Sequence, residues 1–251
     1  MISKPTIKDD SYVTDIVSED YRTSYVFQKY NIDYCCGGKL PLRTVCELHG
    51  LKTEEIKKEL QDSMRVIQLS SSINFSSWSI DFLIDYIINV HHTYIAANLP
   101  EICETVERFT KGHVSKYPHL EELPNCLCAL RDELLPHIEV ENQIIFPYIK
   151  QIVHAYESRE SYAGLLVRTL RKPVENMINH EHEYMRKYIH RIRDLTNNYT
   201  PPTPSCVTHK VAFSKLKEFD GDLVQHIHLE NNILFPKAIA MEKELLESTL
   251  A

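Results

Sequence analysis

One eleven-residue segment occurs twice in the chain and constrains its fold more than any other feature. The copies read HIEVENQIIFP, beginning at His137, and HIHLENNILFP, beginning at His226, and seven of the eleven positions are identical. Each copy places a histidine four residues before a glutamate, and side chains at i and i+4 share one face of a helix. Because Ile144 and Ile233 continue this face, we predict that both His–Glu pairs point into a helical core.

A weaker similarity upstream extends the repeat. Residues 88–94 align with residues 178–184, which pairs His92 with His182. The interval to the next aligned histidine is 45 residues in the first copy and 44 in the second. Two copies of one helix–helix unit would supply four histidines and two glutamates to the middle of a four-helix bundle, which suits a pair of iron ions. The predicted metal ligands are His92, His137, Glu141, His182, His226 and Glu230.

The composition narrows the class of protein. The chain has 251 residues, a formal net charge of −7, six glycines and seven cysteines. The negative charge argues against nucleic acid as the main partner. The N-terminus has no apolar run typical of a signal peptide, and no stretch approaches the roughly 18 apolar residues of a membrane span. Together with an odd number of cysteines, this predicts a cytoplasmic protein with reduced thiols and no membrane partner.

We predict three parts along the chain. Residues 1–65 form a small helical domain that contains the vicinal pair Cys35 and Cys36, followed by two glycines. Residues 66–78 contain five serines and form a linker. Residues 79–251 form the bundle, in which Pro136 should kink the second helix. The four predicted bundle helices run over about 79–109, 119–154, 161–195 and 206–246.

Three motifs carry a family resemblance: DYCCGG at residues 33–38, the loop from Thr196 to Cys206, and the segment beginning at His226. The whole chain resembles the RIC family (YtfE/ScdA-like) of di-iron proteins that repair iron–sulfur clusters. The resemblance implies an all-α fold, with a hemerythrin-like four-helix bundle preceded by a small helical N-terminal domain. It implies the six metal ligands that the repeat predicts, and two non-heme iron ions with oxo and carboxylate bridges. Arg186 stands where oxygen-carrying hemerythrins have a further histidine.

The resemblance implies repair of iron–sulfur clusters damaged by nitric oxide or oxidative stress, through iron donation, nitric oxide chemistry or both. The expected partners are damaged iron–sulfur proteins, with nitric oxide or oxygen as a small-molecule ligand, and a homodimer is compatible with the sequence. We interpret Cys35 and Cys36 as transfer thiols, because soft thiolates suit iron on its way to a sulfur environment. Two buried, inert thiols are the alternative.

Two other functions stay open. The protein could be a di-iron oxidoreductase that reduces nitric oxide or peroxide over many turnovers, or a sensor or carrier that binds oxygen or nitric oxide reversibly. A simple carrier needs no thiol domain, so Cys35 and Cys36 argue against it. We interpret the chain as a repair protein and iron donor more than as a multiple-turnover enzyme. Steady-state gas consumption with an electron donor would separate the enzyme from the repair protein.

The histidines outside the repeat pattern are predicted not to bind the metals. His91, for example, is rotated by about 100° from His92 on a helix. Glu133 and Glu181 are candidates for holding a ligand ring or binding an incoming cation, with a solvated glutamate as the alternative for each. The other histidines assigned no ligand role are His49, His113, His119, His154, His180, His190, His209 and His228.

Overall fold

The computed structural model describes residues 7–34, 40–64, 73–158 and 181–248, without the side chains of 181–183 and 248. Apart from one isolated bridge between Tyr12 and Pro41, the regular structure in these residues is helical, which confirms the predicted all-α class. No helix among them is both long enough and apolar enough to cross a membrane. The chain divides into two compact units: Met1–Ser70 with Thr196–Lys217, and Ser71–Leu195 with Glu218–Ala251.

The first unit packs four short helices around an apolar core. Ile56 and Leu60 lie one turn apart on the fourth of these helices, and both are fully buried. Val211, from the segment 196–217, belongs to the same core. The predicted organisation placed that segment in the bundle of residues 79–251, whereas the structure assigns it to the first unit. The helices are α1 (Val13–Glu19), α2 (Thr23–Lys29), α3 (Leu42–Leu48) and α4 (Thr53–Ser63).

The second unit is built from long helices that contain π-helical turns. Three π-helical segments, Ile87–His92, Glu141–Ile145 and Glu230–Leu234, join helices end to end. The first, second and fourth predicted bundle helices are therefore each formed by two α-helices joined through a π-helical segment. The third predicted helix, over residues 161–195, is described from residue 181 onward. The helices are α5 (Ile80–Tyr86), α6 (Thr93–His113), α7 (Leu123–Val140), α8 (Phe146–Ser158), α9 (Glu181–Leu195), α10 (Val207–Leu229) and α11 (Phe235–Ser248). The division between the two units falls within α10.

The π-helical turns change which side chains face the core. A π-helical turn holds one more residue than an α-helical turn, so the buried face moves along by one position after it. In the first copy of the repeat Ile144 is 55% exposed, and its neighbour Ile145 is 5% exposed. The prediction that Ile144 continues the buried face is therefore wrong. In the second copy Ile233 and Leu234 are both buried, as predicted for Ile233.

The end of the predicted linker is packed against the bundle. Phe75–Ser77 form a short 3₁₀-helix, and the ring of Phe75 lies 4.8 Å from that of Trp78. Trp78 also contacts Phe82 at 4.6 Å between ring centres. Lys237, on α11, donates hydrogen bonds to the carbonyl oxygens of Ser76 and Trp78. Residues 75–78 are thus part of the bundle, and residues 65–72 lie outside the described residues.

Removing residues 1–64 is expected to lower the melting temperature of the protein but not its metal content. The deletion takes away the core that covers Val211, and exposing one such side chain costs about 1.5–3 kcal/mol. The described candidate metal ligands all lie in the second unit. Calorimetry and metal analysis of the truncated and full-length proteins check both parts. Loss of metal on truncation would contradict a bundle that holds its site alone.

Candidate metal centre

Four of the predicted ligands meet in the middle of the second unit. His92, Glu141, His226 and Glu230 each offer a ligand atom, and these atoms all lie within 4.8 Å of one another. All four side chains are buried. His226 Nε2 lies 2.8 Å from Glu230 Oε1 and 3.0 Å from His92 Nε2. Two ring nitrogens from different helices therefore converge on two carboxylates.

The π-helical turns place these ligands at helix junctions. His92 is the last residue of the segment Ile87–His92, while Glu141 and Glu230 each begin a π-helical segment. π-helical turns interrupt the regular α-helical hydrogen bonding and are frequent at functional sites. The same local irregularity in both copies shows that the repeat extends from sequence to backbone conformation.

The remaining two predicted ligands, His137 and His182, are not part of this group of four. His137 Nε2 lies 3.3 Å from Glu141 Oε1, so this histidine is attached to the cluster through its own i+4 partner. His137 is 7% exposed. The side chain of His182 lies outside the described residues. The structure thus brings four of the six predicted ligands together and places His137 beside them.

The residues present fit a bound cation. Glu141 and Glu230 are 1% and 0% exposed, and a buried carboxylate without a compensating positive charge costs several kcal/mol. Among the described residues, the ion-pair partners of Glu141 are His92 and His137, and no lysine or arginine pairs with it. Oxygen and nitrogen donors without a thiolate suit a divalent transition metal.

Metal affinity is expected to increase with pH across the titration of His226. Burial lowers the pKa of His226, but the charge and hydrogen bond of Glu230, with a contribution from Glu141, raise it above its usual value overall. A proton on Nε2 competes with a metal, so binding weakens as the pH falls below this pKa. The stability of the metal-free protein is expected to change with pH in the opposite direction. Protonated His226 and Glu230 form a charged pair that stabilises the fold at low pH, and this contribution is lost as the pH rises through the raised pKa of His226. Zn²⁺ titrations and melting curves at several pH values check this, and a flat affinity profile contradicts it.

Comparison with known proteins agrees with this site. Residues 83–238 match the hemerythrin HHE cation binding domain, and residues 9–64 match ScdA_N, a domain of unknown function. The chain is 33% identical over 221 residues to the iron-sulfur cluster repair protein YtfE of Shigella boydii serotype 4 (strain Sb227) and to that of Escherichia coli O17:K52:H18 (strain UMN026 / ExPEC). In both cases the similarity covers 88% of this chain and 93% of the relative. The chain belongs to the YtfE family. This confirms the resemblance that the sequence motifs indicated.

In this member of the YtfE family, the side-chain amide of Asn142 is hydrogen-bonded to the ring of the candidate ligand His92. Asn142 Oδ1 lies 2.7 Å from Nδ1 of His92, and Phe146 stacks on the same ring at 5.5 Å. A partner on Nδ1 fixes the ring orientation and leaves Nε2 free to bind a metal. Sequence reasoning did not single out Asn142. The signal was present, since the repeat places Asn231 at the equivalent position of the second copy.

Asn142→Ala is expected to weaken metal binding by about 10–100-fold, because His92 loses the group that orients its ring. A matched control is Asn89→Ala, since Asn89 is exposed and its side chain contacts the carbonyl oxygen of Asp85 on its own helix. Titration of both metal-free proteins with Zn²⁺ measures the effect. Equal affinities in the two variants would show that Asn142 does not position His92.

The other residues that the sequence singled out lie in different surroundings. Glu133 is exposed, so the structure does not support it as a group that holds a ligand ring. The side chain of Glu181 lies outside the described residues, as do Cys35 and Cys36. His91, which was predicted not to bind the metals, is buried next to the cluster and is not a surface histidine.

Proposed function

We propose that this protein repairs iron–sulfur clusters damaged by nitric oxide or oxidative stress. The observation that supports the proposal most is the buried His–Glu cluster, in a chain whose relatives are named iron-sulfur cluster repair proteins. The proposed substrates are damaged iron–sulfur proteins, the proposed small-molecule ligand is nitric oxide or oxygen, and the proposed location is the cytoplasm.

The proposed cofactor is a pair of non-heme iron ions with oxo and carboxylate bridges. His92, His137, Glu141, His182, His226 and Glu230 would hold it. When bound, the pair supplies exchangeable, redox-active metal with coordination positions open to a small molecule. The protein contributes buried carboxylates of fixed position and ring nitrogens held in one orientation, in a core that excludes bulk water.

Iron delivered to a damaged cluster is the cargo of the proposed reaction. The bundle offers nitrogen and oxygen donors, whereas the client needs iron in a sulfur environment, and soft thiolates are suited to that step. We assign it to Cys35 and Cys36. The residue before them is anchored in the first unit, because Tyr34 is buried and its hydroxyl accepts a hydrogen bond of 3.2 Å from Nε2 of Gln28.

A buried lysine contacts the residues of the first unit that lie next to Tyr34. Lys215 is fully buried, and its Nζ lies 3.3 Å from Oε1 of Gln28 and 3.7 Å from the ring centre of Tyr25. The ring face stabilises the ammonium group in place of water. The contacts among Lys215, Gln28 and Tyr34 join the segment 196–217 to the stretch of chain that leads to the two cysteines.

Recovery of a damaged iron–sulfur hydratase tests the proposed function. The client is inactivated by nitric oxide and then incubated with iron-loaded protein, metal-free protein, or an equal amount of free Fe²⁺. We expect faster recovery with the iron-loaded protein than with either control. Steady consumption of nitric oxide or peroxide with an electron donor, without recovery of the client, would favour the oxidoreductase instead.

A further inference from the structure

His91 is buried beside the candidate metal centre, and one of its two ring nitrogens is hydrogen-bonded. The side chain is 2% exposed, and Nδ1 lies 2.9 Å from Oδ1 of Asp222. Asp222 precedes His226 by four residues on α10, so both lie on the same face of that helix. The rings of Tyr86 and His91 pack at a steep angle to each other, with 5.5 Å between their centres. The carboxylate accepts the Nδ1–H proton and leaves Nε2 of His91 as an acceptor.

Two buried nitrogens of neighbouring histidine rings have no hydrogen-bond partner among the described residues. One is Nε2 of His91 and the other is Nδ1 of His226, the ring nitrogen that does not face the ligand cluster. A buried polar group without a hydrogen-bond partner opposes folding, so both nitrogens call for one. A ligating histidine almost always donates its second N–H to a partner, and His226 needs one.

The arrangement of the two rings indicates how they are joined. The rings are nearly parallel, with 22° between their planes and 6.0 Å between their centres. At this separation the two ring nitrogens are too far apart for a direct N–H···N bond of ~2.9 Å, and neither has such a partner among the described residues. One water that accepts from Nδ1 of His226 and donates to Nε2 of His91 would give both nitrogens a partner.

We propose that His91, oriented by Asp222, is the positioning residue of His226 and holds that ligand through one bridging water. The chain of hydrogen bonds runs from the Asp222 carboxylate through His91 and the water to Nδ1–H of His226. It leaves Nε2 of His226 directed at the cluster. The inference rests on the proposed metal-binding role of the cluster and adds a group outside the six predicted ligands.

The two imidazoles of the cluster are then oriented by different kinds of partner. His92 is oriented by the neutral amide of Asn142, whereas His226 is oriented by a chain that ends in a charged carboxylate. An anionic partner makes an imidazole ligand more basic than an amide does, and the metal is then held more tightly. Of the two rings, that of His226 is therefore the stronger metal donor.

Titration of the full-length, metal-free protein with Zn²⁺ tests the proposal, and a parallel titration with Fe²⁺ is made without air. We expect Asp222→Asn and His91→Gln each to weaken one binding step by about tenfold. Asp222→Glu keeps the charge and is expected to retain the wild-type affinity. Matched controls are Asp85→Asn and His228→Gln, which alter an exposed aspartate and an exposed histidine of the same bundle.

The two Asp222 variants distinguish an effect of the negative charge of this side chain from an effect of its shape. A merely structural role for Asp222 predicts that the isosteric Asp222→Asn binds normally and that the longer Asp222→Glu does not, and this pattern would overturn the proposal. Wild-type affinity in both Asp222→Asn and His91→Gln would overturn it as well. The Zn²⁺ result does not depend on iron, so failure of the repair function in the client assay leaves the test of His91 intact.

Discussion

Glu230→Ala and Glu141→Ala are each expected to abolish binding of at least one metal ion and to lower the melting temperature of the purified protein. Both carboxylates are almost fully buried within the cluster, and Glu230 lies 2.8 Å from Nε2 of His226. Without either carboxylate, buried imidazoles lose the negative charge that balances a bound cation. A ligand present at 100 times its dissociation constant stabilises the fold by about 2.7 kcal/mol, and this contribution disappears with the metal.

Metal analysis and calorimetry of the same preparations measure both effects. Glu133→Ala is the matched control, because Glu133 lies on α7 four residues before His137 and is exposed. We expect this variant to keep the wild-type metal content and melting temperature. Full metal content in both Glu141→Ala and Glu230→Ala would show that the ligand set is wrong.

The double variant Cys35→Ala with Cys36→Ala is expected to keep its metal and to lose most of its ability to repair a client. The candidate ligands are nitrogen and oxygen atoms of the bundle, so removing two thiols leaves them unchanged. Delivery to a sulfur environment depends on soft donors, and the variant has none at this position. Metal content and client recovery are measured on the same preparation.

Buried thiols elsewhere provide the control for this variant. Burial raises the pKa of Cys103 to about 12 and also raises the pKa of Cys126, so neither thiol is a reactive nucleophile near neutral pH. Cys103→Ala with Cys126→Ala should therefore repair the client as the wild type does. Unchanged recovery in the Cys35 and Cys36 variant would refute the transfer role, and loss of metal would mean that these cysteines support the site itself.

The clustering of these side chains could be predicted from the repeat because the information in it is local. A histidine and a glutamate four residues apart on one helix face can be read directly from sequence, and the structure brings both glutamates and His226 to one place. The position of Ile144 could not be read in the same way. An α-helical period assigns it to the buried face, but the π-helical turn that begins at Glu141 shifts the face by one residue.

The partners of the histidine rings could not be paired from the sequence pattern, although the repeat does contain Asn142 and its equivalent Asn231. Asn142 and His92 are 50 positions apart, and Asp222 and His91 are 131 positions apart. No periodicity links residues of different helices, so such pairs emerge only when the helices pack. The place of Val211 in the first unit is similar, because its partners in that core lie within residues 7–64, far from it in the sequence.

Metal content and the visible spectrum of the purified full-length protein test the central claim most directly. A duplicated His–Glu unit that holds a bridged iron pair predicts about two iron atoms per chain and an oxo-bridged absorption band. The same measurement on Glu230→Ala should show the loss of at least one iron and of the band. One zinc atom and no iron in the wild-type protein would contradict the account.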